Sequence, residues 1–202
     1  MATRERFDGW ILGLGTTSGT RLVVGHWPCS PLGAVSDVMV ERADGHRVLL
    51  AQTPELADFV SATYSFDEVR VVDVAVGRAA EHWAVDAGPL HLRLRTGRRP
   101  ALGLLLRCVP APLARRPGWV GLLDPVAHAL TGLHTRGTAG HGRTEFYGVQ
   151  DLHTVRSVRA RWDDADLGSL APVTPPVRLG FASVPPRPSA VRVTTTVVVP
   201  GG

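Results

Sequence analysis

Thr131–Val155, TGLHTRGTAGHGRTEFYGVQDLHTV, is the stretch on which the reading of this chain turns. Its centre, Gly137–Gly142 (GTAGHG), is small and glycine-rich, which favours a loop that reverses the chain. The flanks carry Thr, Phe, Tyr and Val, residue types suited to a pleated strand. The stretch therefore reads as strand, loop, strand. With Arg136 facing Arg143 at the loop ends, His134 falls opposite Glu145. Opposed Cβ atoms stand about 4.5–5.5 Å apart, so an imidazole and a carboxylate there can hydrogen-bond. Side chains alternate along a strand, which puts Arg143, Glu145 and Tyr147 on one face and Thr144 and Phe146 on the other. The expected polar face is His134, Arg136, Arg143, Glu145 and Tyr147. A slip of one residue would send half of it to the opposite side.

Working outward, Trp10–Leu14 reads as a strand, and the glycines of GLGTTSG after it invite comparison with a dinucleotide loop. That fingerprint needs a helix next, and the strand-like Arg21–Trp27 follows instead, so a hairpin loop is expected. Asp44-Gly45 is a strong two-residue hairpin signal, which would set Arg42 beside Arg47 and Val40 beside Leu49. Thr53 can cap a helix with Pro54 at its first position, and Leu56, Phe59, Val60 and Thr63 share one face. Val69–Val76, Glu81–Asp86, Leu90–Arg95, Val155–Trp162, Val177–Val184 and Val191–Val199 read as strands. Ala101–Cys108 is an apolar run whose flanking prolines favour a strand, and Asp124-Pro125 offers a helix start lasting to Leu130. The fold class expected is mainly β, α+β at most. It comprises about a dozen strands in an antiparallel barrel or a strongly curved two-sheet arrangement, with one clear helix near 54–63. A single domain over 1–202 is expected, with the proline-rich 109–118 as the place for an internal boundary.

Composition closes off several chemistries. All 22 Lys+Arg residues are arginine, so no lysine Schiff base, nucleophile or general base can operate. The net charge is only +4, and a pI near 10 follows from arginine alone rather than from a strong positive field. Cys29 and Cys108 are too few for a disulfide framework and read as free, buried thiols. The charged N-terminus MATRERFDGW lacks the apolar run of a signal peptide, and no apolar run matches a membrane span. A soluble, cytoplasmic protein without membrane contact is the expectation.

Three function classes fit the polar face. The leading one is binding of a small, anionic organic ligand, with Arg136 and Arg143 as bidentate holders and His141 and His153 beside them. The second is a cofactor-independent enzyme in which His134 and Glu145 form an acid–base pair and Tyr147 donates a hydrogen bond. The third is an arginine-mediated nucleic-acid or protein adaptor using Arg93, Arg95, Arg98 and Arg99 with Arg156, Arg159 and Arg161. Nucleic acid is disfavoured because no aromatic residues interleave these arginines as a stacking platform requires. No metal and no cofactor is expected: neither HExxH nor a cysteine-pair motif is present, although His134, His141, Glu145 and His153 are suitable ligand types. Ser36, Ser183 and Ser189 lack the G-x-S-x-G elbow of a nucleophilic serine.

The segments SDVMVERADGHRVLLA, EFYGVQDLH and PPVRLGFASVPPRPSAVRVTTTV resemble an uncharacterised family of high-GC Gram-positive (actinobacterial) proteins, a resemblance that implies no activity. In strand content the chain is similar to acetoacetate-decarboxylase-type barrels, whose Schiff-base lysine has no counterpart here.

Overall fold

The computed structural model describes residues 2–114, 116, 118–121, 135–138, 142–180 and 184–199. The first half holds β1 (Thr3–Thr16), β2 (Arg21–Cys29), β3 (Val35–Glu41), β4 (Arg47–Ala51), α1 (Pro54–Ser61), β5 (Glu68–Val71), β6 (Val74–Ala79), β7 (His82–Ala87) and β8 (Leu90–Thr96). The second half holds α2 (Ala101–Arg107), α3 (Ala111–Ala114), β9 (Arg136–Thr138), β10 (Thr144–Trp162), β11 (Ala165–Asp166), β12 (Leu170–Ala171) and β13 (Ser189–Val199).

The strands join in one sheet of order β5-β4-β3-β2-β1-β13-β10-β8-β7-β6, with β9 and β11 on β10 and β12 on β1. Pairing is antiparallel except between β4 and β5, which run parallel. Strands β5 and β6 end the order without pairing to each other, so the expected barrel closure is not made. The sheet curls instead until β3 meets β6. Val38 and Val40 of β3 then pack with Val74, Val85 and Leu92 of β6–β8 in one core. A second core lies on the other face of β1–β4 and β13, where α1 covers Val23, Met39, Leu49 and Val193.

Local chemistry explains most elements and several departures. Strand β8 alternates as expected, with Leu90, Leu92 and Leu94 buried. Ala101–Arg107 is a helix, not a strand: leucine is a strong helix former, the run has no β-branched residue, and Pro100 occupies the N-cap, where the N–H it lacks is not needed. Val69–Val76 is two strands rather than one, broken between β5 and β6. Val177–Val184 forms no strand over its described residues; the N–H of Arg178 goes to Glu41 Oε2 instead of a ladder. Both cysteines are exposed rather than buried. The expected helix over 124–130 lies outside the described residues.

The turn at Asp44-Gly45 also differs. Arg42 N donates to His46 O, and Gly45 takes φ +89, so the loop has three residues and not two. That change of one residue sets Glu41 opposite Arg47 on β4 and keeps it opposite Arg21 on β2. Glu41 is fully buried and bonded to Arg21 Nη2 at 2.9 Å and to Arg178 Nε at 3.1 Å. The buried pair ties the irregular 172–180 segment to the sheet. We expect Glu41→Gln to destabilise the chain by roughly 3–5 kcal/mol, because Arg21 is left buried without a counter-charge. Urea unfolding measures this, and a loss below about 1 kcal/mol would show that the pair does not hold the segment.

Candidate functional site

Helix α1 begins as its sequence dictates: Thr53 Oγ1 accepts from Leu56 N at 3.2 Å, and Pro54 opens the first turn. It buries Leu56, Ala57 and Val60 on the sheet. Its far end is held from β10's approach: Arg143 Nη1 donates to Phe59 O at 2.9 Å and to Thr63 Oγ1 at 2.8 Å, with its guanidinium 4.8 Å from the Phe59 ring centre. Between α1 and the sheet lies a cavity of about 70 Å³. Phe7, Trp27, Met39, Leu56, Phe59 and Val197 make most of its wall apolar. Strand parity supplies the rest, since odd-numbered residues of β1, β2, β3 and β13 face α1 and bring Asp37 and Thr195 to the cavity.

Two polar groups share this wall. Asp37 is 2% exposed, and its Oδ1 accepts from Trp27 Nε1 at 3.1 Å. Among the described residues its Oδ2 is buried with no hydrogen-bond partner, as is Thr195 Oγ1. Burial raises the Asp37 carboxyl to about 7, and the Trp27 bond opposes this only in part. Gly25 makes the arrangement feasible, because a Cβ there would stand 2.5 Å from Asp37 Oδ1 and 2.6 Å from Trp27 Nε1.

The second group is a triangle of oxygens. Tyr64 and Tyr147 hydroxyls donate to Glu145 Oε2 at 2.9 and 3.0 Å, and the two phenolic oxygens stand 2.8 Å apart. Two phenolic protons cannot fill three edges while Glu145 is ionised. A proton on the carboxyl closes all three as a ring, Oε2–H to one phenol, that phenol to the other and the second back to Oε2, and burial pushes the Glu145 carboxyl upward, toward that form. Both phenols are pushed well above their usual range, first by burial, so they remain donors.

The residues singled out in the sequence are distributed differently from the expected face. The β9–β10 register sets Glu145 opposite Gly137 and Phe146 opposite Arg136, three residues away from the expected pairing. His134 is therefore not the strand partner of Glu145; His134 and His141 themselves lie outside the described residues. Glu145 and Tyr147 do share a face and both line the cavity. Arg143 stands on that side but fastens α1 instead of lining the cavity. Arg136 is on the opposite face, its guanidinium 5.5 Å from the Phe146 ring centre. His153 is also on the far face, because the bulge between Val149 and Asp151 shifts the alternation. Its Nδ1–H donates to Gly97 O at 3.2 Å, and its ring lies 6.3 Å from that of Trp10.

Asp37, Tyr64, Trp27 and Thr195 were not legible as site residues. Asp37 carried one signal: in β3 it shares parity with Val35 and Met39, which marks an acid on a buried face. Tyr64 comes to Glu145 across 81 positions of sequence, a contact no local pattern reveals. Among the described residues no group of three His, Cys, Asp or Glu is placed to hold a metal ion, and no helix is long and apolar enough to cross a membrane.

No family model matches the chain, and no curated protein matches it in sequence. Among solved structures it is similar to an acetoacetate decarboxylase from Legionella pneumophila, with a TM-score of 0.45 and 8% identity over 98% of this chain and 85% of that one. A second solved acetoacetate decarboxylase gives a TM-score of 0.44 and 10% identity over 98% of this chain and 87% of the other.

The buried carboxyl makes stability depend on pH. Below about pH 4 Asp37 is protonated in both the folded and the unfolded chain. As pH rises toward about 7 the unfolded chain ionises while the folded one keeps its proton, so stability falls by on the order of 4 kcal/mol. Asp37→Asn keeps an acceptor for Trp27 and removes the ionisation. Its melting temperature should differ least from that of the parent near pH 3.5 and exceed it by several degrees at pH 8; an equal gap at both would show an Asp37 carboxyl of ordinary acidity.

Proposed function

We propose that this chain binds a small, largely apolar organic molecule in the cavity beneath α1 and holds the molecule's one polar group against Asp37, Thr195 and the Tyr64–Tyr147–Glu145 triangle. The observation that carries this is the pair of orphaned buried atoms, Asp37 Oδ2 and Thr195 Oγ1, in an otherwise apolar cavity. A buried polar atom without a partner costs about 1–3 kcal/mol, a penalty that a bound hydrogen-bonding group relieves. At about 70 Å³ the cavity has room for roughly five water-sized positions, hence a ligand of about that many heavy atoms. Among the described residues two carboxyls and no arginine line it, which favours an uncharged ligand over the anion that Arg136 and Arg143 suggest in sequence.

A second reading, a cofactor-independent acid–base enzyme, is supported by the Asp37 carboxyl at about 7, the value suited to a general base near neutrality. In this reading Asp37 Oδ2 removes a proton from carbon beside a carbonyl, and the electron pair moves onto the carbonyl oxygen. One phenol of the triangle turns its O–H from the other phenol to that oxygen, and return of the proton completes the cycle. The role expected for His134 passes to Asp37, and Glu145 becomes a donor.

Ligand-observed NMR with 2-butanone, 2-butanol and butyrate tests both readings. Butanone and butanol should bind more tightly than butyrate, and Tyr64→Phe should weaken butanone by about three- to tenfold. Preference for butyrate, or binding untouched by Tyr64→Phe, would defeat the proposal. Exchange of the butanone α-hydrogens for deuterium, lost by about a hundredfold or more in Asp37→Asn while affinity persists, separates catalyst from binder.

A further inference from the structure

On the sheet face opposite α1, an open depression of about 380 Å³ lies between the end of α2 and the middle of β10 and β13. Among the described residues, three arginines line it, Arg99, Arg107 and Arg192, against one acidic residue, Asp151. Arg99 and Asp151 are mutually engaged, with Nε donating to Oδ1 at 2.9 Å and Nη2 to Oδ2 at 3.0 Å. Arg192 Nη1 donates to Gly9 O at 2.6 Å, which orients the guanidinium of this lining residue and uses one of its N–H groups. Arg107 closes the last turn of α2, is exposed, and makes no ion pair among the described residues.

The surrounding charges add to the surplus. Arg78 lies 4.1 Å from the Trp10 ring centre and 5.0 Å from that of Trp83. Burial lowers its pKa; the pull of Asp151 is opposed by the charges of Arg192 and Arg99. His26 is likewise lowered, first by burial and then by Arg192 and Arg78. The whole chain carries only +4, so this is a local concentration of like charge and not a uniformly basic surface. Crowded cations repel within a Debye length, and an anion that bridges them removes that repulsion.

We propose that this depression is a binding site for a small, multiply charged oxyanion of the phosphate class. Guanidinium forks match the oxygens of phosphate in pairs, and Arg192 is already oriented for it. One carboxylate against three guanidiniums leaves a surplus that a multiply charged anion offsets and a singly charged one does not. The site stands on the far face of the sheet and is independent of the cavity beneath α1.

Calorimetric titration of the full chain with inorganic pyrophosphate, and separately with inorganic phosphate, at fixed ionic strength tests the proposal. Pyrophosphate should bind with a Kd below about 1 mM and more tightly than phosphate. Arg107→Gln, whose side chain holds nothing in place, should weaken it about tenfold without changing the melting temperature, and Arg192→Gln should weaken it at least as much. Absence of binding to the parent chain, or full affinity in Arg107→Gln, overturns the proposal.

Discussion

Strand β13 is paired on both sides over Ser189–Val198, and the rest of the molecule is referred to that double ladder. Thr3–Gly13 of β1 runs along one edge and Thr144–Thr154 of β10 along the other. Because successive side chains leave a strand on opposite faces, this ladder sorts residues by parity. Val193, Thr195 and Val197 turn to α1, while Arg192, Thr194 and Thr196 turn away. The apolar cavity and the arginine-lined depression are thus two faces of one strand. Shifting β13 by one residue would exchange their chemistry.

The two buried acids of β3 illustrate how context sets the role of a carboxylate. Glu41 is fully buried, but two arginines and a backbone N–H surround it, so its charge is met where it stands. Asp37, four residues earlier on the same face, has one indole N–H and an orphaned oxygen. The first arrangement fastens a segment of chain. The second carries a standing cost to stability, of the kind that folds retain where a ligand or a proton is handled.

The bulges matter as much as the ladders. The irregularity between Val149 and Asp151 reverses which side chains of β10 face α1. Before it, Glu145 and Tyr147 serve the cavity; after it, Asp151 and His153 stand on the far face near Arg99 and Trp10. A second irregularity lies between Asp8 and Trp10, where a Cβ on Gly9 would fall 2.0 Å from His26 O. That close approach fixes the carbonyl environment in which Arg192 is oriented.

The sequence by itself determined the β class, the start of α1 at Thr53-Pro54, the alternation of β8, the sharing of one face by Glu145 and Tyr147, and the exclusion of lysine chemistry. Each rests on local physics: capping, period-two burial, or the absence of a functional group. The tertiary structure decided the rest. The helical 101–107 run is seated on β10 where Gly103 lets it approach the Leu152 carbonyl, a docking that local propensity does not place. Loop length at Arg42–His46 set one register, and the β9–β10 pairing is another, that no pattern of residue types specifies. The triangle of Glu145 with Tyr64 and Tyr147, and the burial of Asp37, arise only when α1 closes over the sheet. Contacts between residues far apart in sequence depend on that closure, and local propensity carries no record of it.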